Sequence, residues 1–152
     1  MYLLKNNFTI LIIIFISFEI SISHSDEKFL SLKKNKVNVR YGPSFDFPVK
    51  YIYKKKNLPI KQIDKKENWR RIVDSKNNSG WIHWSQLKKI NSVIVLNDKI
   101  MFKKSTIFSK PIAKIKKGRL LIVQKCGVVW CKVETENFKG WVDKNNLWGA
   151  VN

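Results

Sequence analysis

Apolar positions in this chain come in short, broken runs. Val37-Asn38-Val39-Arg40 alternates with period two, the pattern of a half-buried strand, and Gly42-Pro43-Ser44 then turns the chain. Val49–Tyr53, Ile60–Ile63, Trp69–Val73 and Gly80–His83 predict four more strands. Asn57-Leu58-Pro59 breaks the pattern, and Pro59 fits a strand start or an edge because it cannot donate to a ladder. Ser75–Ser79 reads as a turn, Trp84–Leu87 as one helical turn and Lys88–Ser92 as a linker. The order then returns: Val93–Leu96, Lys99–Phe102, a turn at Ser109-Lys110-Pro111, then Ile112–Ile115, Leu120–Lys125, Trp130–Glu134 and Phe138–Val142, closed by Asn145–Leu147. From Phe29 on, no run keeps a helical period over about 11 residues. The fold class is therefore all-β, and five short strands in roughly 60 residues predict a small, strongly bent barrel.

Two stretches share one frame. Trp69 is followed by Gly80-Trp81-Ile82 and, after a short spacer, Leu87; Trp130 is followed by Gly140-Trp141-Val142 and, after the same spacer, Leu147. An offset of about 60 residues marks a tandem of two units, spanning 29–88 and 92–149. The recurrence of Trp69, Gly80, Trp81, Trp130, Gly140 and Trp141 points to structural roles, since large aromatics dominate burial energetics. Such a frame marks β-structure and counts against a catalytic site.

Residues 1–25 have the layout of a secretory signal peptide: Lys5 near the amino terminus, the apolar run Phe8–Phe18, and small residues at Ser21, Ser23 and Ser25. A spanning helix needs roughly 20 apolar residues, and Glu19 interrupts this run too early. A cleaved signal is expected ahead of an uncleaved anchor. A unit of about 60 residues buries only about 60% of its unfolded surface, so the two halves are expected to pack together or to carry a staple.

Cys126 and Cys131 could supply that staple. They bracket Gly-Val-Val-Trp between two apolar stretches. On a hairpin they would face each other with Cα atoms about 4.5–5.5 Å apart, inside the disulfide window, and an exported chain meets oxidising conditions. The alternative is two free thiols in a core. A metal site is not expected: only His24 and His83 could join, and the chain has no C-x2-C. No cofactor is implied.

Charge changes the picture less than its size suggests. The chain carries 30 Lys+Arg against 11 Asp+Glu, a net +19, which favours an anionic partner. Yet Arg40, Arg70, Arg71 and Arg119 are its only arginines, and bidentate recognition of phosphate or carboxylate favours Arg. Lys33-Lys34, Lys54-Lys55-Lys56 and Lys116-Lys117 read as solvated turns. Abundant Lys, Asn and Ile together resemble the product of an A+T-rich coding sequence.

The segment VNVRYGPS at 37–44, followed by a Trp strand and the GWI frame, resembles the bacterial Src-homology-3-like domain. The second half is similar to the tandem partner found in exported proteins of proteobacterial type, best at CGVVWCKVE and GWVDKNNLWG. The resemblance covers Phe29 to Gly149. It implies a small β-barrel that binds rather than reacts, in a periplasmic setting. Several members attach to peptidoglycan or its stem peptides; where such domains serve enzymes, a separate catalytic domain sits beside them, and two units leave no room for one here. The second half departs from the pattern, with Phe102-Lys103-Lys104-Ser105 where the first has Arg40-Tyr41-Gly42-Pro43-Ser44.

Tyr41, Phe45, Phe47 and Trp84 are not repeated in kind and flank the turn and helical turn that form the groove of this fold. An aromatic groove with a few polar groups suits a peptide or glycan. Arg40 could pair with a ligand carboxylate there, or tie down its own turn by bonding carbonyls. His83 has no orienting partner for acid–base work in the sequence, and no paired-carboxylate frame or Gly-rich phosphate loop is present. The expectation is a non-catalytic, exported module for peptidoglycan, its stem peptides or another envelope protein. Electrostatic attachment to an anionic membrane or glycan surface comes third, and nucleic acid is not expected.

Overall fold

The computed structural model describes residues 28–149, so the expected signal peptide at 1–25 lies outside the described residues. The first unit contains β1 (Lys28–Leu32), β2 (Val37–Arg40), β3 (Val49–Tyr53), β4 (Pro59–Lys66), β5 (Trp69–Val73), β6 (Ser79–His83), one 3-10 turn (Trp84–Gln86) and β7 (Leu87–Lys89). The second contains β8 (Ser92–Val95), β9 (Lys99–Phe102), β10 (Pro111–Ile115), β11 (Leu120–Cys126), β12 (Trp130–Glu134), β13 (Lys139–Asp143) and β14 (Leu147–Trp148). Each unit is one seven-stranded sheet, in the orders β3-β2-β6-β5-β4-β1-β7 and β10-β9-β13-β12-β11-β8-β14. The second order is the first shifted by seven strands, so the tandem repeat extends to topology. Among the described residues the end strands of each sheet do not pair, and neither sheet closes on itself.

The sheets nevertheless bend hard. In sheet order β2 and β1 are four places apart, which in a flat sheet would be roughly 19 Å at the usual strand spacing. Leu32, Val37, Val39, Ile60, Ile72 and Ile82 still form one buried cluster. The second unit gathers Val93, Val95, Met101, Ile115, Leu121, Cys131, Val133 and Val142 in the same way. Bulges sit at matching points, between Gln62 and Asp64 in β4 and between Val123 and Lys125 in β11. A bulge kinks its strand and raises local twist, which turns these two long strands over their cores.

Gly80 and Gly140 serve the same bend. Gly80 passes Val39 and Arg40 so closely that an added Cβ would overlap the Val39 side chain and lie 3.1 Å from the Arg40 carbonyl oxygen. At Gly140 it would lie 2.6 Å from Met101 and 2.7 Å from the Phe102 carbonyl oxygen. Here β6 meets β2, and β13 meets β9, through the single pairs Arg40–Trp81 and Trp141–Phe102.

Three elements differ from the sequence expectation. β1 had no strand signal, Lys88 and Lys89 belong to β7 rather than to a linker, and β4 runs on through Asp64, Lys65 and Lys66. Each carries lysines or exposed polar residues, so no apolar alternation marks it. Backbone pairing adds to core contacts of Leu30, Leu32 and Leu87 in holding β1 and β7: β1 bonds to both β4 and β7.

The units meet at a polar seam. Ser31 Oγ lies 2.9 Å from Ser92 Oγ, and Ser92 Oγ donates to the Asn57 carbonyl. Ser92 has one hydroxyl hydrogen, already used, so Ser31 donates to Ser92. The Phe29 ring meets Trp148 edge-on, centroids 5.0 Å apart. The expected staple is present too. Cys126 and Cys131 face each other on β11 and β12 and form a disulfide, their Cα atoms 4.1 Å apart. Cys131 is fully buried and Cys126 packs against the same core.

Candidate functional site

The loop between β2 and β3 arches over the end of β5 and β6. Arg40, last residue of β2, reaches along this loop: its Nη1 donates to the carbonyls of Phe45 at 3.1 Å and Phe47 at 2.6 Å. Its guanidinium also lies 5.5 Å from the centre of the Phe45 ring. Arg40 therefore ties its own turn rather than projecting freely to a ligand carboxylate. Ser44 supports the turn, donating to Asp46 Oδ2 at 2.7 Å. Gly42 leaves room for the Phe47 ring, whose carbons would lie 2.6 Å from any added Cβ.

Held this way, Phe45 packs edge-on against Trp69 with centroids 4.9 Å apart and lies 5.4 Å from His83. His83 meets Trp69 at 5.3 Å and Trp84 at 6.5 Å. The result is an aromatic shelf. Trp69 is its buried base at 6% exposure, while Phe45 (64%) and Trp84 (54%) are open to solvent. His83, set aside in the sequence for want of a partner, sits at the centre of the shelf. Its Nδ1 is 2.8 Å from Ser85 Oγ, on the 3-10 turn. The signal that could have found it is the run Trp81-Ile82-His83-Trp84. Strand alternation puts Trp81 and His83 on one face, and the helical turn swings Trp84 beside His83.

Among the predicted groove residues Arg40 touches Phe45 and also lines the depression that holds Tyr41. Tyr41 lies on the far side of Arg40, where Lys50 Nζ sits 5.5 Å from its ring centre. There Arg40, Tyr41, Lys50, Arg71 and Trp81 line a shallow depression of about 340 Å³. Trp84 and Arg70 line another of about 220 Å³ with Leu30 and Leu87. Of the six residues repeated between units, Trp69 and both glycines are buried and Trp81, Trp130 and Trp141 are half-buried; none of the four tryptophans belongs to the two aliphatic core clusters.

The second unit builds no such shelf. At the position of Arg40 it has Phe102, whose ring packs edge-on against Trp130 at 5.8 Å. Its β9–β10 loop instead holds Ile107 and Phe108 in solvent, Phe108 at 91% exposure. A second polar cluster lies under the first unit. Burial pushes the Asp74 carboxyl up, but the Asn78 side chain, the backbone N–H groups of Asn78 and Lys76, and the Tyr53 hydroxyl outweigh it and hold the group below its ordinary value. The Tyr53 hydroxyl is pushed well up, first by burial and then by Tyr51 and Asp74. Among the described residues no group of three or more His, Cys, Asp or Glu could hold a metal ion. No helix there is long and apolar enough to cross a membrane.

Comparison with known proteins places this geometry in context. A family model described as the bacterial SH3 domain matches the chain twice, at residues 33–89 and 101–149. No curated protein sequence matches it. Among solved structures the chain is similar to NlpC2 from Trichomonas vaginalis, at 10% identity and a TM-score of 0.38 over 84% of this chain and 50% of that one. It is also similar to NlpC1 from the same organism, at 10% identity and 0.37 over 84% and 47%. An NlpC/P60 family protein from Bacillus cereus matches at 12% identity and 0.37 over 82% and 57%. The chain thus spans about half the length of these structures.

Proposed function

The chain belongs to the bacterial SH3 domain family, and from that premise we propose that it is an exported, non-catalytic binding module of the periplasm. It takes peptidoglycan or its stem peptides on the aromatic shelf of the first unit, with each sheet curled into a small barrel beneath. The observation that carries this reading is the arrangement of Phe45, His83 and Trp84 around a buried Trp69, fixed by the two hydrogen bonds from Arg40. Two exposed aromatic rings on a rigid base offer stacking area to a sugar or peptide at little entropic cost. Arg40 contributes by holding the loop, so its role is to position Phe45.

A pull-down of the oxidised protein on purified peptidoglycan sacculi, at low and high salt, tests this. Retention at both salts, lost in Trp84→Ala and Phe45→Ala, is expected. Failure of the unaltered protein to sediment at either salt overturns it. Retention at low salt alone assigns the attachment to net charge, because screening removes exposed charge interactions.

A second reading, docking of another envelope protein, draws on the second unit. There Ile107, Phe108, Val128 and Val129 are exposed, Val128 at 94%, and exposed apolar groups that form a patch mark interaction surfaces. Sacculus binding that survives Phe108→Ser and Val128→Ser separates the two readings.

A further inference from the structure

A second concavity lies away from the aromatic shelf. It is a cleft of about 570 Å³ between the two units, within the range of small-ligand sites. Its first wall comes from the turns before β2 and β4: Asn35, Lys54, Lys55, Lys56 and Asn57. Its second wall is the outer side of β11 with the end of β12: Arg119, Leu120, Ile122, Glu134, Thr135 and Glu136. The polar seam of Ser31, Ser92 and Asn57 fixes the two walls to each other.

Strand geometry explains the second wall. Leu121 is fully buried in the core, so its neighbours Leu120 and Ile122 point the other way and give the cleft an apolar floor. Ile122 pairs with Glu134 across the β11–β12 ladder, which sets a carboxylate beside that floor.

Both signs of charge in the cleft are unspent. Lys54, Lys55, Lys56 and Arg119 make no hydrogen bond or ion pair through their side chains with the described residues, and neither does Glu136. Glu134 accepts from the Gln124 amide alone. Oppositely charged groups therefore line one cleft without neutralising each other. A second observation is independent of these charges. Asn57 lines the cleft, its backbone is held in the left-handed region at φ 61°, and its Oδ1 is shut off from solvent with no hydrogen-bond partner. A buried acceptor without a donor is unfavourable, so this corner of the cleft wall carries a cost that the fold tolerates.

We propose that this cleft between the units is a binding site for a short zwitterionic peptide. The ligand carboxylate is held by the Lys54–Lys56 turn and Arg119, its ammonium by Glu134 and Glu136, and its apolar portion by Leu120 and Ile122. A polyanion fits less well, because the two glutamates face it with like charge. The site lies on residues the aromatic shelf does not use, so the inference does not rest on the reading of that shelf. Two sources carry this chemistry, a cell-wall stem peptide and an ordinary protein tail.

Calorimetric titration of the full chain distinguishes them, using L-Ala-γ-D-Glu-meso-diaminopimelate and the all-L peptide Ala-Glu-Lys. Saturable binding of at least one is expected, weakened about ten-fold or more when its ammonium groups are acetylated or its carboxylates amidated. Preference for the first peptide assigns the wall as source, and equal or better binding of the second assigns a protein tail. Arg119→Gln and Glu136→Gln, at exposed positions that leave the fold intact, each weaken binding about ten-fold, whereas Lys103→Gln, an exposed lysine outside the cleft, leaves it unchanged. The proposal is overturned if neither peptide binds, if blocking the charges has no effect, or if both glutamine variants bind like the unaltered protein. Loss of binding in Trp84→Ala with both glutamine variants unaffected moves the site to the shelf and equally overturns it.

Discussion

Ser31 donates its hydroxyl hydrogen to Ser92 across 2.9 Å, linking the first strand of one unit to the first strand of the other. Both side chains are buried, at 0% and 1% exposure, and the bond continues from Ser92 to the Asn57 carbonyl. Removing either hydroxyl therefore has unequal results. Ser31→Ala deletes the outer donor of the chain and costs about 1 kcal/mol. Ser92→Ala leaves the Ser31 hydroxyl and the Asn57 carbonyl both unpaired, and costs about 2–4 kcal/mol from two desolvated groups. Urea unfolding of the two variants reads the difference; equal losses would show that the seam is not a relay.

The two glycines that let neighbouring strands approach closely are predicted to differ in kind. At Gly80 the nearest obstacle to a Cβ is the Val39 side chain, with backbone no closer than 3.1 Å; at Gly140 the Phe102 carbonyl itself is 2.7 Å away. Gly80→Ala and Gly140→Ala should each cost roughly 1–3 kcal/mol, as overpacking does. Adding Val39→Ala relieves the clash at Gly80, so that the double variant loses less than the two single changes together. Adding Met101→Ala to Gly140→Ala gives no such relief, because a carbonyl cannot be trimmed. Thermal unfolding of the four single and two double variants checks both statements.

Reduction of Cys126–Cys131 should destabilise the protein by roughly 2 kcal/mol, the scale for a short closed loop. The effect belongs to the second unit, since Cys131 is buried in that core alone. Hydrogen exchange with and without reductant is expected to speed up in β11 and β12 and to leave β4 and β5 unchanged. Uniform acceleration across both sheets would refute that localisation.

Acid should weaken the first unit through Asp74. Its carboxyl lies below its ordinary value when folded, because hydrogen bonds from Asn78, Lys76 and Tyr53 outweigh the effect of burial. A folded value below the unfolded one means stability present above the unfolded value of about 3.9 and lost as pH falls through the folded value. Asp98, held down chiefly by the Lys117 backbone N–H and then by Lys116, has the same sign in the second unit. Asp74→Asn should therefore lower stability at neutral pH and flatten, without abolishing, the fall below about pH 4. Unfolding midpoints of both proteins between neutral and acid pH provide the check.

The legible part of this fold was the part written in large residues. Trp69, Gly80-Trp81, Trp130 and Gly140-Trp141 announced two β units, and the alternation at 37–40 announced β2. The disulfide was readable because a hairpin forces Cys126 against Cys131. β1 and β7 are less legible because they are short and place lysines beside the few leucines, Leu30, Leu32 and Leu87, that reach the core. At the shelf, the sequence supplied Phe45 and Trp84 but not the separation of Tyr41, which depends on which side of Arg40 each ring falls. It gave no sign of the cleft. Lys55 and Glu136 belong to different units, and serines such as Ser31 and Ser92, which bring the walls together, look like any surface serine until their burial is known.

The meeting of Phe29 with Trp148 joins the first and last described strands of the chain. A contact that bridges nearly the whole described length is among the last that a chain can afford to make, because loop-closure entropy opposes it until other contacts hold its ends near. Each core, by contrast, draws on one contiguous half of the sequence. Folding should accordingly run in two stages: two independent collapses, then a slower docking that zips Phe29 onto Trp148 and closes the serine seam. Until that docking is complete the cleft has only one wall, so the ability to take a ligand there arrives later than the native secondary structure.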